Sequence, residues 1–172
     1  MPVPRFNWDV VARIERLPVD TWVRFNDVTG DMSIMDKMHS ANGPNTDGWR
    51  LLKQFDNLFW FCVAQSSNQC GNPSFTLFSA TSVTTGTWYH VAVTKNSGTM
   101  SLYVNGVLEN TISTPSFVDT NSTDLLLGGN ISEGAYLNGL IWSVPVQEVR
   151  QIRFGSETRV FDADAILGLS LR

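Results

Sequence analysis

The stretch Gly86–Gly106, GTWYHVAVTKNSGTMSLYVNG, constrains the fold more than any other part of the chain. Thr87–Lys95 is rich in β-branched and aromatic residues, which suit a pleated, half-buried strand, and Asn96-Ser97-Gly98 follows as a turn. In the next run Met100, Leu102 and Val104 alternate with Ser101, Tyr103 and Asn105. That period of two is expected of an antiparallel strand with one face buried. Asn105-Gly106 then marks a hairpin, because a type I′ turn needs positive φ at both central positions. Three strands in one register, joined by two tight turns, are predicted here.

The 172 residues suit a single domain spanning the whole chain, 1–172. Charged residues make up only 16%, against roughly 25% in typical soluble chains. A net charge of −4, with Lys37, Lys53 and Lys95 as the lysines and no basic run, excludes a nucleic-acid binder. No apolar run approaches the ~18–20 residues of a membrane span. The opening MPVPRFNWD lacks the pattern of a signal peptide. It suits a removed leader, a larger parent, or export as part of a virus particle. Cys62 and Cys70, the only cysteines, flank a short polar segment. A disulfide in an oxidising compartment and a buried Cys62 with an incidental Cys70 both suit that spacing.

Taken in order, residues 1–16 read as an opening strand, Thr21–Phe25 as the next, and Met32–Met35 as a short third. Trp22 is expected in the core. Residues 36–48, DKMHSANGPNTDG, form a polar loop crowded with side-chain oxygens, the kind of segment on which a rigid sandwich carries its binding residues. Trp49–Phe55 and Leu58–Ala64 pair about Asp56-Asn57, and Phe75–Ala80 follows. Leu58–Val63 is apolar on both faces, so Trp60 reads either as a core residue with a bonded N–H, the preferred reading, or as a platform for a sugar ring. Leu125–Leu127, Leu140–Trp142 and Val144–Phe154 are further strands, with Pro145 marking an edge or bulge. Asp162 is placed to cap a helical turn through Leu167, and Leu169–Leu171 to close the sheet. Asn121-Ser122-Thr123 and Asn130-Ile131-Ser132 match the N-glycosylation pattern.

The central segment, with GTWYHVAVT followed by a turn and LYVNG, resembles the signature of laminin G-like, concanavalin A-like domains. Matching positions include Trp88, His90, Val91, Ala92, Val93, Tyr103, Val104, Asn105 and Gly106. Thr21–Phe25, Asp47–Leu51, Leu125–Asn130, Leu137–Ile141 and Glu148–Arg150 resemble the family's other strands. The resemblance covers roughly residues 20–165 and implies an all-β, two-sheet antiparallel jelly-roll sandwich. It also implies a structural role for His90.

Relatives of this fold include glycoside hydrolases, which need two carboxylates at a set separation. Their E-x-D-x-x-E strand is absent, and the only acid-x-acid pair, Asp162-Ala163-Asp164, falls in a cap. No zinc or serine-hydrolase signature occurs, so no enzyme is expected. Relatives often bind calcium at the sandwich rim, and Asp36 and Asp47 would supply oxygens for it.

The expectation is therefore a non-catalytic recognition domain that binds glycans at a cell or particle surface, secreted or displayed on a virion. The competing class is a structural or adhesive subunit, such as a decoration protein of a virus or phage, that binds neighbouring protein or itself. The ligand site is expected on the 36–48 loop and the adjoining sheet, at Asp36, His39, Asn42, Asn45, Asp47, Trp49 and Trp60. This combines groups that grip hydroxyls with an apolar plane for the ring.

Overall fold

The computed structural model describes residues 19–38, 48–64, 70–96, 98–113, 125–130 and 133–142, and the backbone of three later strands. In chain order the strands are β1 (Val19–Phe25), β2 (Met32–Asp36), β3 (Gly48–Lys53), β4 (Leu58–Ala64) and β5 (Thr76–Ser82). There follow β6 (Trp88–Asn96), β7 (Thr99–Val104), β8 (Val107–Ser113), β9 (Leu125–Leu127), β10 (Gly129–Asn130) and β11 (Ala135–Tyr136). The last are β12 (Gly139–Trp142), β13 (Ile152–Phe154), β14 (Glu157–Arg159) and β15 (Leu169–Leu171). One sheet has six strands in the order β15-β12-β1-β6-β7-β8, the other seven in the order β14-β13-β9-β2-β3-β4-β5. Pairing is antiparallel throughout except between β13 and β9, which run parallel. The chain is the all-β sandwich that the sequence predicts. No helix among the described residues is long and apolar enough to cross a membrane.

The two sheets meet over a core supplied by alternate residues. Val19, Val23 and Phe25 of β1, Tyr89, Val91 and Val93 of β6, and Met100, Leu102 and Val104 of β7 come from one side. Trp49 and Leu51 of β3, Phe59, Phe61 and Val63 of β4, and Leu77 of β5 come from the other. Phe59 bridges them, its ring 6.1 Å from Phe25 and 5.6 Å from Tyr89. The free edge of β5 is closed by β8: Glu109 accepts from the Ala80 and Thr81 N–H groups at 2.9 and 3.0 Å, and Asn110 Nδ2 donates to the Phe78 carbonyl at 2.9 Å. Side chains thus occupy backbone groups that would otherwise invite strand addition.

The hairpin forms as expected. Val104 pairs with Val107 across Asn105 (φ 51°) and Gly106 (φ 81°), the two positive values of a type I′ turn. Asn105 Oδ1 also accepts from the His90 N–H at 2.9 Å. A Cβ at Gly106 would meet nothing within 4 Å, so only backbone conformation restricts the residue there. Gly106→Val should therefore lower stability by about 1–3 kcal/mol, since a β-branched residue is strained at positive φ. Chemical denaturation of the variant checks this.

Cys62 and Cys70 are joined in a disulfide. By loop-closure entropy a bridge over so short a separation contributes about 2–3 kcal/mol.

Several expectations change. Trp22 is not in the core, because Val19, Thr21, Val23 and Phe25 take the inner face of β1 and leave Asp20, Trp22 and Arg24 outside. Trp60 is likewise outward and half-buried, and its N–H has no bonded partner. Asn130 is buried and bonded to Asp36, so its side-chain amide is not exposed for glycosylation. The predicted opening strand at 1–16, Pro145 and the Asp162 cap lie outside the described residues. Leu169–Leu171 does close a sheet, pairing with β12.

Candidate functional site

Inward and outward residues alternate on β3 and β4, so a row of side chains crosses the outer face of the seven-stranded sheet. Register aligns Ser33, Leu52, Trp60 and Phe78 on β2, β3, β4 and β5. The Trp60 and Phe78 rings lie 5.8 Å apart, tilted by 39°, and Phe78 is 47% exposed. Trp60 is thus on the outer side of β4, not in the core as preferred from the sequence.

Two residues along on β3 and β4, Asp36, Arg50 and Cys62 form the next row. Arg50 reaches from β3 to the short ribbon of β10 and β11, where its Nη1 and Nη2 donate to the two Glu133 oxygens at 2.7 and 3.0 Å. Its Nε lies 3.7 Å from Asp36 Oδ2. Asp36 is 0% exposed. It accepts from the Met38 N–H at 2.8 Å and from Asn130 Nδ2. Burial nevertheless wins over these partners and over Arg50, and raises the Asp36 pKa from 3.8 to about 6. Asn130 Oδ1 in turn accepts from the Glu133 N–H at 3.1 Å. The result is a polar latch that holds the ribbon to the sheet.

Between latch and sheet lies a small open cleft with about 50 Å³ of water-accessible space, lined by Asp31, Ser33, Arg50, Leu52, Gln54 and Glu133 among others. Ser33 Oγ, Arg50 Nε and Trp60 Nε1 are buried polar atoms without a hydrogen-bond partner, and all three belong to this face. Such atoms carry the cost of an unmade hydrogen bond.

The expected site residues distribute unevenly. Trp60 stands on this face. Trp49 points into the core, 4% exposed, its ring stacked 6.0 Å from Phe61, and offers no plane to a ligand. Asp36 belongs to the latch; sealed from solvent beside a guanidinium, with both oxygens taken, it does not fit a calcium ligand. His39, Asn42, Asn45 and Asp47 lie outside the described residues. Among the described residues no group of three or more His, Cys, Asp or Glu side chains converges as a metal site. Phe78, Ser33, Arg50, Gln54 and Glu133 were not foreseen. For Phe78 a signal existed, since alternation with Leu77 and Ser79 puts it on the Trp60 face.

Residues 14–149 match the family profile of the concanavalin A-like lectin/glucanases superfamily. The chain belongs to that superfamily. Solved structures of like fold include a Bacteroides ovatus protein assigned as carbohydrate binding, with a TM-score of 0.57 and 16% identity over 80% of this chain. This superfamily member spans 38% of the Bacteroides protein's length. Another is the CBM40 of the Ruminococcus gnavus IT-sialidase bound to α2,3-sialyllactose, with a TM-score of 0.53, 16% identity, and coverage of 73% of this chain and 70% of that one. At these identities the likeness establishes a shared fold. No curated protein matches the sequence.

Proposed function

We propose that the domain is a non-catalytic glycan-binding module, working outside the cell or on a surface, with its site on the outer face of the seven-stranded sheet. The observation that carries this reading is the placement of three buried polar atoms that make no hydrogen bond, on Ser33, Arg50 and Trp60, beside the Trp60–Phe78 aromatic pair. A sugar presents hydroxyls to the first set and an apolar ring face to the second. The fold neighbours from Bacteroides ovatus and Ruminococcus gnavus, assigned to or seen with carbohydrate, support it. Catalysis is disfavoured because Arg50 neutralises Glu133, and Asp36 is shut away from any ligand proton. The Cys62–Cys70 bridge suits an oxidising compartment.

A glycan array carrying sialyllactose and neutral oligosaccharides, followed by calorimetry on any hit, tests the proposal. Phe78→Ala should weaken binding about tenfold or more with little change in melting temperature, because nearly half of the ring is already in water. Trp60→Ala should abolish binding and cost about 2 kcal/mol of stability, less than a fully buried tryptophan. A folded protein that binds no glycan, or whose binding survives both substitutions, overturns the assignment.

A further inference from the structure

The outer face of the six-stranded sheet, across the core from the cleft, holds a second cluster. Register sets Trp142, Trp22 and His90 side by side on β12, β1 and β6, with the Trp22 and His90 rings 5.1 Å apart. Two residues along, Leu140, Arg24 and Trp88 form a parallel row on the same strands. Trp142 is 47% exposed and the other five are half-buried. Three tryptophans on one solvent-facing patch exceed what a sandwich needs to cover its sheet.

Arg24 distinguishes this patch from a merely apolar one. Among the described residues no carboxylate or other acceptor is bonded to its side chain, and its Nε is buried without a partner. Asp20, on the same face, is engaged by His90 Nε2 at 3.0 Å. On the opposite sheet Arg50 is already neutralised by Glu133; here the guanidinium stands uncompensated, flanked in register by Leu140 and Trp88.

We propose that this face is a second saccharide-binding surface, and that its ligand is a carboxylated sugar of the uronate class. The pyranose ring lies against the tryptophans while its carboxylate takes the Arg24 fork. A planar carboxylate matches the planar guanidinium and accepts two parallel hydrogen bonds. A neutral sugar would leave the cation without a counter-charge. Three strands give a patch roughly 10 Å across, about the footprint of a disaccharide. The proposal is independent of the cleft, since the two faces lie on opposite sheets and share no residue.

Calorimetric titration with short oligogalacturonates, with the same oligomers as methyl esters, and with sulfated dextran oligomers tests it. The acid should bind, more weakly as salt rises, and esterification should weaken binding at least tenfold. Arg24→Gln should reproduce that loss with the acid, and Arg24→Lys should restore part of it, because charge returns without the fork. Trp142→Ala should weaken binding several-fold at unchanged melting temperature, whereas Phe78→Ala on the other sheet should leave it unaffected. Should Arg24→Gln fail to fold, the acid–ester comparison on the unaltered protein and Trp142→Ala decide. Equal binding of acid and ester, or binding of the sulfated oligomer alone, overturns the proposal. So does self-association that Trp142→Ala abolishes without any oligogalacturonate binding, which would assign the face to a second copy of the chain.

Discussion

Lys53→Met is expected to lower the stability of the domain by about 3–5 kcal/mol. Lys53 ends β3 on the inward face and is 0% exposed. Its Nζ donates to the carbonyls of Val28 and Gly30 and, at 3.1 Å, to Asn57 Oδ1. It thereby ties the turn after β1 to the turn between β3 and β4. Burial pulls its pKa below the ordinary lysine value, and Asp31, Asp27 and Asp56 oppose that pull. Methionine fills the space of the stem and removes the desolvation cost of the ammonium. It also leaves three oxygens without a donor, at about 1–3 kcal/mol each where water cannot reach them. The lost donors outweigh the relief, because the ammonium is already supported by the carboxylates around it. Asn57, held at φ 61°, loses one of the contacts that stabilise that conformation. Urea denaturation provides the measurement, and a loss below 1 kcal/mol would mean that the carbonyls rehydrate freely.

Arg50→Met should be nearly as damaging, and its effect should depend on pH. Removing the guanidinium leaves Asp36 buried without its cation and Glu133 without its fork. At neutral pH a charge stranded in this way costs about 3–5 kcal/mol. In the intact protein the Asp36 pKa already stands at about 6, above its ordinary 3.8, and loss of Arg50 raises it further. The folded state therefore holds this proton more tightly than the unfolded chain. Its contribution to stability is fully present below about pH 4 and is lost as pH rises through 6, an effect of about 3 kcal/mol. Acid neutralises the group that the substitution strands. The gap between variant and parent should thus be widest near pH 7.5 and should narrow below pH 5. Denaturation curves at both values test this; a gap independent of pH would remove Asp36 from the account.

The central hairpin was legible from residues alone because its determinants are local. Alternation through Met100, Leu102 and Val104, and the tolerance of Asn105-Gly106 for positive φ, require no knowledge of the remaining chain. The outward position of Trp22 was legible too, since it shares a parity with Asp20 and Arg24; its place within a core-like motif obscured that. β3 is different. One parity carries Trp49, Leu51 and Lys53, the other Arg50 and Leu52, so each offers a cation and at least one large apolar residue. β4 is apolar on both parities. For these strands a period of two specifies alternation but cannot say which set faces inward.

The opposing sheet decided it. Trp49 went to the core and Trp60 to the surface, whereas from sequence Trp49 is expected in the ligand site and Trp60 is preferred as a core residue. Lys53 could be buried only because the carbonyls of Val28 and Gly30 were brought to meet it. The latch unites Arg50 with Glu133, 83 residues apart in sequence, and no local pattern encodes such a pairing. Spacing along the chain determined the strands, the hairpin and the family. Long-range packing determined which aromatic rings meet solvent and which cations stand unpaired, because burial and charge compensation depend on partners that only the folded sandwich assembles.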